Sequence, residues 1–249
     1  MADPTRELRL AAALVECADV LRTDFDPVHY LRRLADACVD LVGARGAGVL
    51  LAHPDGASTV AHSAEQDDLV RELLHTERSA SPAHESLETG KAVPPVGLDS
   101  AEAAARWPAF TAAARRRGIG ATYAVPLRRR DDVVGALGVF LSELPWSDPG
   151  LAIAQTLADM AAVGLHNQRA YAQYRELTRQ LQAALASRVR IEQAKGMLAE
   201  RWETEPDAAF STLRQYARSN QLQLDTVARA VLQRALTDVQ LRPGKSGSA

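Results

Sequence analysis

The sequence predicts an α+β domain, an antiparallel sheet flanked by helices, followed by an all-α region made of a coiled coil and a three-helix core. Three observations carry that prediction. The apolar period changes from helical to alternating near Gly46 and returns to helical after Asp148. No proline interrupts the chain between Pro149 and Pro206. Charge divides unevenly, with 16 Lys/Arg against 23 Asp/Glu in residues 1–166 (net −7) and 13 against 8 in residues 167–249 (net +5). A basic half beside an acidic one suggests a polyanionic partner for the basic half.

Residues 6–22 place Leu10, Leu14, Ala18 and Leu21 on one helical stripe. Asp26-Pro27 then offers an N-cap and a first-turn proline for a second helix. Leu31, Leu34, Cys38 and Leu41 point inward on it, and Gly43 stops it. Gly46–Leu51, a turn at His53-Pro54-Asp55-Gly56, and Ser58–Ala61 read as a β-hairpin. Helical patterns follow at Glu65–Glu77 and Ala83–Glu88. A second hairpin joins Thr122–Leu127 to Val133–Leu141 through an acidic turn at Asp131-Asp132, with Gly135 and Gly138 marking close backbone approach or a bulge. The sheet is expected to have five or six strands.

Asp148-Pro149 starts the longest helix, which runs for some 50 residues, or about 80 Å at the α-helical rise. Gly164 is a candidate bend. Tyr174, Leu177, Leu181 and Leu185 (or Ala184) follow at coiled-coil spacing and form a candidate dimer seam, unless the stripe packs on the chain's own body. Ile191, Ala194, Leu198 and Trp202 on that helix match the inner faces of two shorter ones. The first begins at Thr204-x-x-Asp207, a capping-box pattern, with Phe210, Leu213 and Ala217 inside and Asn220 as its stop. The second carries Leu224, Val227, Ala228, Val231 and Leu232 and runs to about Leu236. The implied division is an N-terminal helix (1–25), an α+β domain (26–166), a coiled coil with three-helix core (167–240) and a disordered tail (241–249).

Composition bounds the function. Hydrophobic residues make up 47%, enough for packed cores. No run approaches the roughly 18 apolar residues that span a membrane, and the N-terminus lacks the order of a signal peptide. Cytoplasmic location without membrane contact is expected. Cys17 and Cys38 read as buried reduced thiols. The six histidines are scattered with no zinc-ligand spacing, and there is no phosphate-binding glycine loop or nucleophile elbow, so neither a cofactor nor enzymatic activity is expected.

Ser187-Arg-Val-Arg-Ile-Glu-Gln-Ala-Lys-Gly-Met-Leu-Ala-Glu-Arg201, with Ala209-Phe210, Leu213-Arg214, Ala217, Asn220, Leu224 and Val227-Ala228, resembles an ANTAR domain, a bacterial RNA-binding antitermination module. The resemblance covers about residues 175–237. Glu203 stands where a glycine is common and Ala199 where methionine is common. Residues 26–166 resemble a GAF domain of the type that precedes ANTAR in actinobacterial regulators. That likeness rests on the Gly46–Leu51 strand, Pro82–Lys91, Arg106-Trp107-Pro108 with Phe110, and Val125-Pro126-Leu127 with Gly135-Ala136-Leu137-Gly138. It implies a homodimer that binds paired hairpins in nascent transcripts and prevents a terminator from forming.

RNA loops are read through phosphate charge and unstacked bases. Lys195 lies one heptad after Arg188, Arg190 and Arg201 share a face with the small Ala194, and Arg214 and Arg218 adjoin at i,i+4. These seven residues form the candidate RNA interface. The competing reading is a solvated helix face in which Glu192 neutralises Arg188. A DNA-binding helix-turn-helix is the alternative function, its recognition helix at 224–237 offering Arg229, Gln233 and Arg234. In the first domain, Arg106, Trp107, Phe110 and Tyr123 are candidate contacts for a small-molecule ligand, although the aromatic residues equally suit a core. Neither cysteine lies near the usual bilin attachment region.

Overall fold

The computed structural model describes residues 4–21, 24–52, 58–63, 70, 72–74, 81–144 and 149–241. Two compact units meet between Ala172 and Gln173.

The first unit begins with α1 (Pro4–Ala18) and α2 (Pro27–Val42). The Asp26 carboxylate accepts from the Val28 amide at 2.9 Å, and Gly43 closes α2 in the left-handed region at φ 73°, so both ends form as expected. The expected inner residues of α2 are all buried. On α1 the inner stripe shifts: Leu10, Ala13, Leu14 and Cys17 pack inward, whereas Ala18 ends the helix and Leu21 lies 58% exposed beyond it.

Strands β1 (Gly46–Ala52), β2 (Ser58–His62), β3 (Val93–Gly97), β4 (Ala121–Arg129) and β5 (Asp132–Leu141) form one antiparallel sheet in the order β2-β1-β5-β4-β3. The expected turn at residues 53–56 and most of the expected helix at 65–77 lie outside the described residues. Val70, Leu73 and Leu74 are helical and buried. Helices α3 (Pro82–Thr89), α4 (Ala101–Arg106) and α5 (Pro108–Arg116) complete this part of the chain. Ser81 caps α3, accepting from the His84 amide at 3.3 Å.

Alternation along the strands sends side chains to two cores. Ala47, Val49, Tyr123, Val125, Leu137 and Val139 face α1, α2 and the start of the long helix. Leu50, Ala124 and Phe140 face α3–α5 and the helical residues near 70–74. Gly48 and Gly138 are directly paired on the two central strands. A Cβ at Gly48 would come within 2.6 Å of Val70, and one at Gly138 within 3.4 Å of Ala83, so the missing side chains let helices lie close on the sheet. At Gly135 a Cβ would stand 2.5 Å from the Leu50 carbonyl, beside a register shift after Leu127. Close approach and a bulge thus occur together.

The long helix α6 (Pro149–Arg201) is 53 residues, helical through Gly164. Gly164 does not interrupt it. A Cβ there would meet the Tyr30 hydroxyl and stand 2.8 Å from the Cys17 carbonyl, so the glycine serves the packing of α6 on α1 and α2.

In the second unit α6 is followed by α7 (Pro206–Ser219), α8 (Leu224–Leu232) and α9 (Asp238–Leu241). Ala194, Leu198, Ala209, Leu213, Ala217, Val227, Ala228 and Val231 form its core. The capping box at Thr204 does not form: Glu205 is the N-cap, with no side-chain cap bond, and Pro206 begins the helix. Phe210 is half-buried rather than internal. α8 stops at Leu232, four residues short of the expectation, because Arg234 turns left-handed at φ 57°. Leu241 is buried in the same core, one residue into the expected tail, and the rest of that tail is outside the described residues.

Candidate functional site

The seven candidate RNA-contacting residues separate by what already holds them. Ala194 has no exposed surface and sits in the three-helix core. Its small size serves helix packing, and it leaves the candidate interface. Arg190 donates to Asp225 on α8 at 2.7 Å, and Asp225 also takes Arg229 at 3.3 Å. The hydrogen bond from Arg190 holds the Asp225 carboxyl below its ordinary range. Arg201 reaches Asp238 at 3.2 Å. Lys195 pairs with Glu192 at 2.6 Å and keeps 22% of its side chain exposed. Glu192 therefore neutralises Lys195, not Arg188.

Arg188, Arg214 and Arg218 are exposed and make no ion pair among the described residues. The Arg214 guanidinium lies 5.8 Å from the Phe210 ring centroid, a contact that orients the cation without cancelling its charge. Sequence spacing identified these cations but not their partners, since Asp225 and Asp238 come from distant turns of chain.

The four candidate ligand residues of the first unit are not brought together. Trp107 and Phe110 belong to the core beneath α3–α5, and Tyr123 to the core on the other side of the sheet. All three are at most 1% exposed. Burial raises the Tyr123 phenol well above its ordinary pKa. Arg106 pairs with Glu85 and, at 2.6 Å, with Glu102, while its guanidinium lies 4.4 Å from the Trp107 ring centroid. The Trp107 indole donates to Glu85 at 3.2 Å. Glu85 thus ties α3 to the α4–α5 junction, and an anionic ligand would have to displace two carboxylates to reach Arg106.

The GAF domain family model matches residues 26–166, more than half of the chain. The chain belongs to the GAF-domain family. The ANTAR domain model matches residues 179–232. No curated protein matches significantly. Among solved structures, a bacteriophytochrome from the photosynthetic bacterium R. palustris aligns with TM-score 0.52 and 12% identity, covering 79% of this chain and 43% of that one. The GAF domain of an Acinetobacter phosphoenolpyruvate-protein phosphotransferase aligns with TM-score 0.47 and 11% identity, covering 68% and 97%. The chain spans less than half of the bacteriophytochrome, and at such identity the likeness establishes the fold alone.

GAF domains are sensor modules and ANTAR domains RNA-binding antitermination modules; both are regulatory rather than catalytic. Among the described residues no helix is long and apolar enough to cross a membrane. Two left-handed turns lie within the matched ANTAR residues. Glu203, where a glycine is common, has φ 48° and closes α6, with the Thr204 amide donating to the Ala199 carbonyl at 3.0 Å. Gln221 (φ 55°) repeats that turn after α7, where the Leu222 amide donates to Ala217 at 2.8 Å. Just before the ANTAR core, Tyr174, Leu177, Leu181 and Leu185 are 68%, 54%, 62% and 66% exposed, and Val189 continues the row at 47%.

Proposed function

We propose that this protein is a transcription antitermination regulator whose ANTAR unit binds RNA hairpins in nascent transcripts, as a homodimer in the cytoplasm, under control of the GAF domain. The observation that carries the proposal is the ANTAR match over a surface where Arg188, Arg214 and Arg218 are exposed and make no ion pair among the described residues. Lys195 follows the core residue Ala194 by one position, and Arg214 and Arg218 follow Leu213 and Ala217 by one. Helices folded back on each other by a short turn bring positions rotated the same way off the seam to one side. One basic strip on that side would track a phosphate backbone, and Phe210 beneath Arg214 adds a π-face for an unstacked base.

The DNA-reading alternative finds less support. Its recognition helix is only the nine residues of α8, Arg229 is held by Asp225, and Arg234 lies beyond the helix end. The exposed Tyr174–Leu185 stripe supports dimerisation, because a two-fold contact would cover it. Control by the GAF domain would run through α6, whose helical residues continue from Pro149 in the first unit to Arg201 in the second.

Fluorescence anisotropy with an RNA hairpin bearing a purine-containing loop, against duplex DNA, tests the reading. Arg214→Gln with Arg218→Gln should weaken hairpin binding by more than about tenfold and reduce the slope of log affinity against log salt by about one to two units. Arg229→Gln with Arg234→Gln should change little. The reverse order, with duplex DNA preferred, would establish the DNA-reading alternative. Equal weak binding of both nucleic acids, insensitive to either pair, would end the RNA assignment.

A further inference from the structure

Gly164 and Gly196 both lie in the interior of α6, and the chain itself accounts for only the first. Tyr30 and Cys17 leave no room for a side chain at Gly164. Gly196 is exposed, and a Cβ added there would meet nothing within 4 Å among the described residues. Glycine is the poorest helix former after proline, because it loses the most backbone freedom and exposes the backbone to water. An alanine would fit the single chain and strengthen the helix. What glycine supplies instead is room for another molecule to come close to the backbone.

The place of Gly196 on the helix indicates what comes close. Leu185 and Val189 precede it by eleven and seven residues, so each lies within about 20° of it around the helix. They are 66% and 47% exposed. The exposed apolar row that begins at Tyr174 thus runs on to Gly196, about 33 Å of helix. A second helix of similar length covers such a row, and the α6 of a second copy is one. RNA fits the spot less well. Glu192 and Glu200, one turn before and after Gly196, lie about 40° to either side of it, whereas Arg188 and Lys195 turn about 80–100° away. Lys195 is moreover paired with Glu192 at 2.6 Å. A phosphate approaching the Gly196 backbone would meet two carboxylates before any cation. Between two copies the same exposed glutamates stay at the polar rim of the contact.

We infer that Gly196 is the point of closest approach between the long helices of two copies, so that the dimer contact runs from Tyr174 past the start of the three-helix core at Ala194. The inference rests on the homodimer of the proposed function and states where its halves meet. Such a contact joins the two ANTAR units directly, and not only through the stretch of α6 before them.

Sedimentation equilibrium of the full chain with Gly196→Ala and with Gly196→Gln tests it. Both replacements are better helix formers than glycine, and their Cβ meets no obstacle within the chain. At about 1 µM, dilute enough for the chain to be monomeric, both variants should therefore melt at a higher temperature than the wild type. The dimer should respond in the opposite sense. Its dissociation constant should rise about fivefold with alanine and more than about tenfold with glutamine, because the added atoms hold the helices apart. Dimerisation that is unchanged or strengthened in these variants would overturn the inference. An unchanged dimer with weaker binding of an RNA hairpin would overturn it too, and would assign Gly196 to RNA. Circular dichroism checks that the glutamine variant folds; if it does not, the alanine variant alone decides. A wild type that is monomeric at about 100 µM removes the homodimer and this contact together, whereas a dimeric wild type insensitive to both variants removes the contact alone.

Discussion

Replacing Leu177 and Leu181 together by Asp should convert the protein from dimer to monomer without unfolding it. The magnitude follows from exposure. Leu177, Leu181 and Leu185 leave 54%, 62% and 66% of their surface in water in the single chain. Burying a whole leucine side chain is worth about 1.5–3 kcal/mol, so covering these fractions contributes about 1–2 kcal/mol each. Across a two-fold contact six leucines supply about 6–10 kcal/mol, and Tyr174, 68% exposed, adds to that. Association costs about 4–15 kcal/mol, so a net gain of about 6 kcal/mol remains at the favourable end of both ranges, a dimer with a dissociation constant of tens of micromolar. The double substitution removes four of the six leucines, a loss of at least about 4 kcal/mol or some thousandfold in dissociation constant, before like-charge repulsion is counted. Because these side chains are exposed within the chain, far-ultraviolet circular dichroism should stay helical. Light scattering over a dilution series reads the mass. A wild-type protein that is monomeric at about 100 µM, where such a contact should be largely formed, would refute the reasoning. A variant that stays dimeric would place the contact elsewhere.

Three further outcomes test the packing. The Asp225 carboxyl is depressed by Arg190, so its contribution is present above the ordinary carboxyl pKa and is lost as pH falls through the depressed value. The ANTAR unit should therefore melt at lower temperature below about pH 4, and Asp225→Asn should flatten that dependence while costing about 1–3 kcal/mol at neutral pH. Glu203→Gly should raise stability by about 1 kcal/mol in chemical denaturation, because it relieves a left-handed non-glycine residue. Gly164→Ala should destabilise the GAF domain by about 1–3 kcal/mol in thermal melts, since its Cβ would collide with the Cys17 carbonyl and the Tyr30 hydroxyl.

The parts of the fold legible in the sequence are those set by neighbours in the chain. Asp26-Pro27 and Gly43 bracket α2 because caps act within one turn, and the two named hairpins follow from alternating strands close together in the chain, though the second turns at Arg130-Asp131, one residue before the expected Asp131-Asp132. Strand β3 escaped because Val93-Pro94-Pro95-Val96 reads as loop. Two prolines are tolerated there since β3 is an edge strand among the described residues, pairs with β4, and shifts register between Val93 and Val96. The capping box at Thr204 failed for a competing local reason, since the Glu203 turn places Glu205 at the cap. Residue type alone groups Trp107 and Tyr123 as ligand contacts, yet the parity of β4 sends Tyr123 to the opposite face of the sheet. Only the topology supplies that information.

The candidate RNA interface shows the same limit in electrostatic terms. Spacing rules reach three or four residues along a helix, so they could offer Glu192 to Arg188 or to Lys195 but nothing farther off. The carboxylates that decide which cations remain available come from farther away: Asp225 lies 35 residues beyond Arg190, and Asp238 lies 37 beyond Arg201. Each such pair crosses between helices, so a phosphate reaching for Arg190 or Arg201 must first displace a carboxylate. That exchange nearly cancels, because one anion replaces another on the same guanidinium. Arg188, Arg214 and Arg218 need no such exchange, and a phosphate meeting them gains the full charge-assisted bond. Salt dependence of RNA binding should therefore report on these three, while substitutions at Arg190 and Arg201 register first as lost stability of the ANTAR unit.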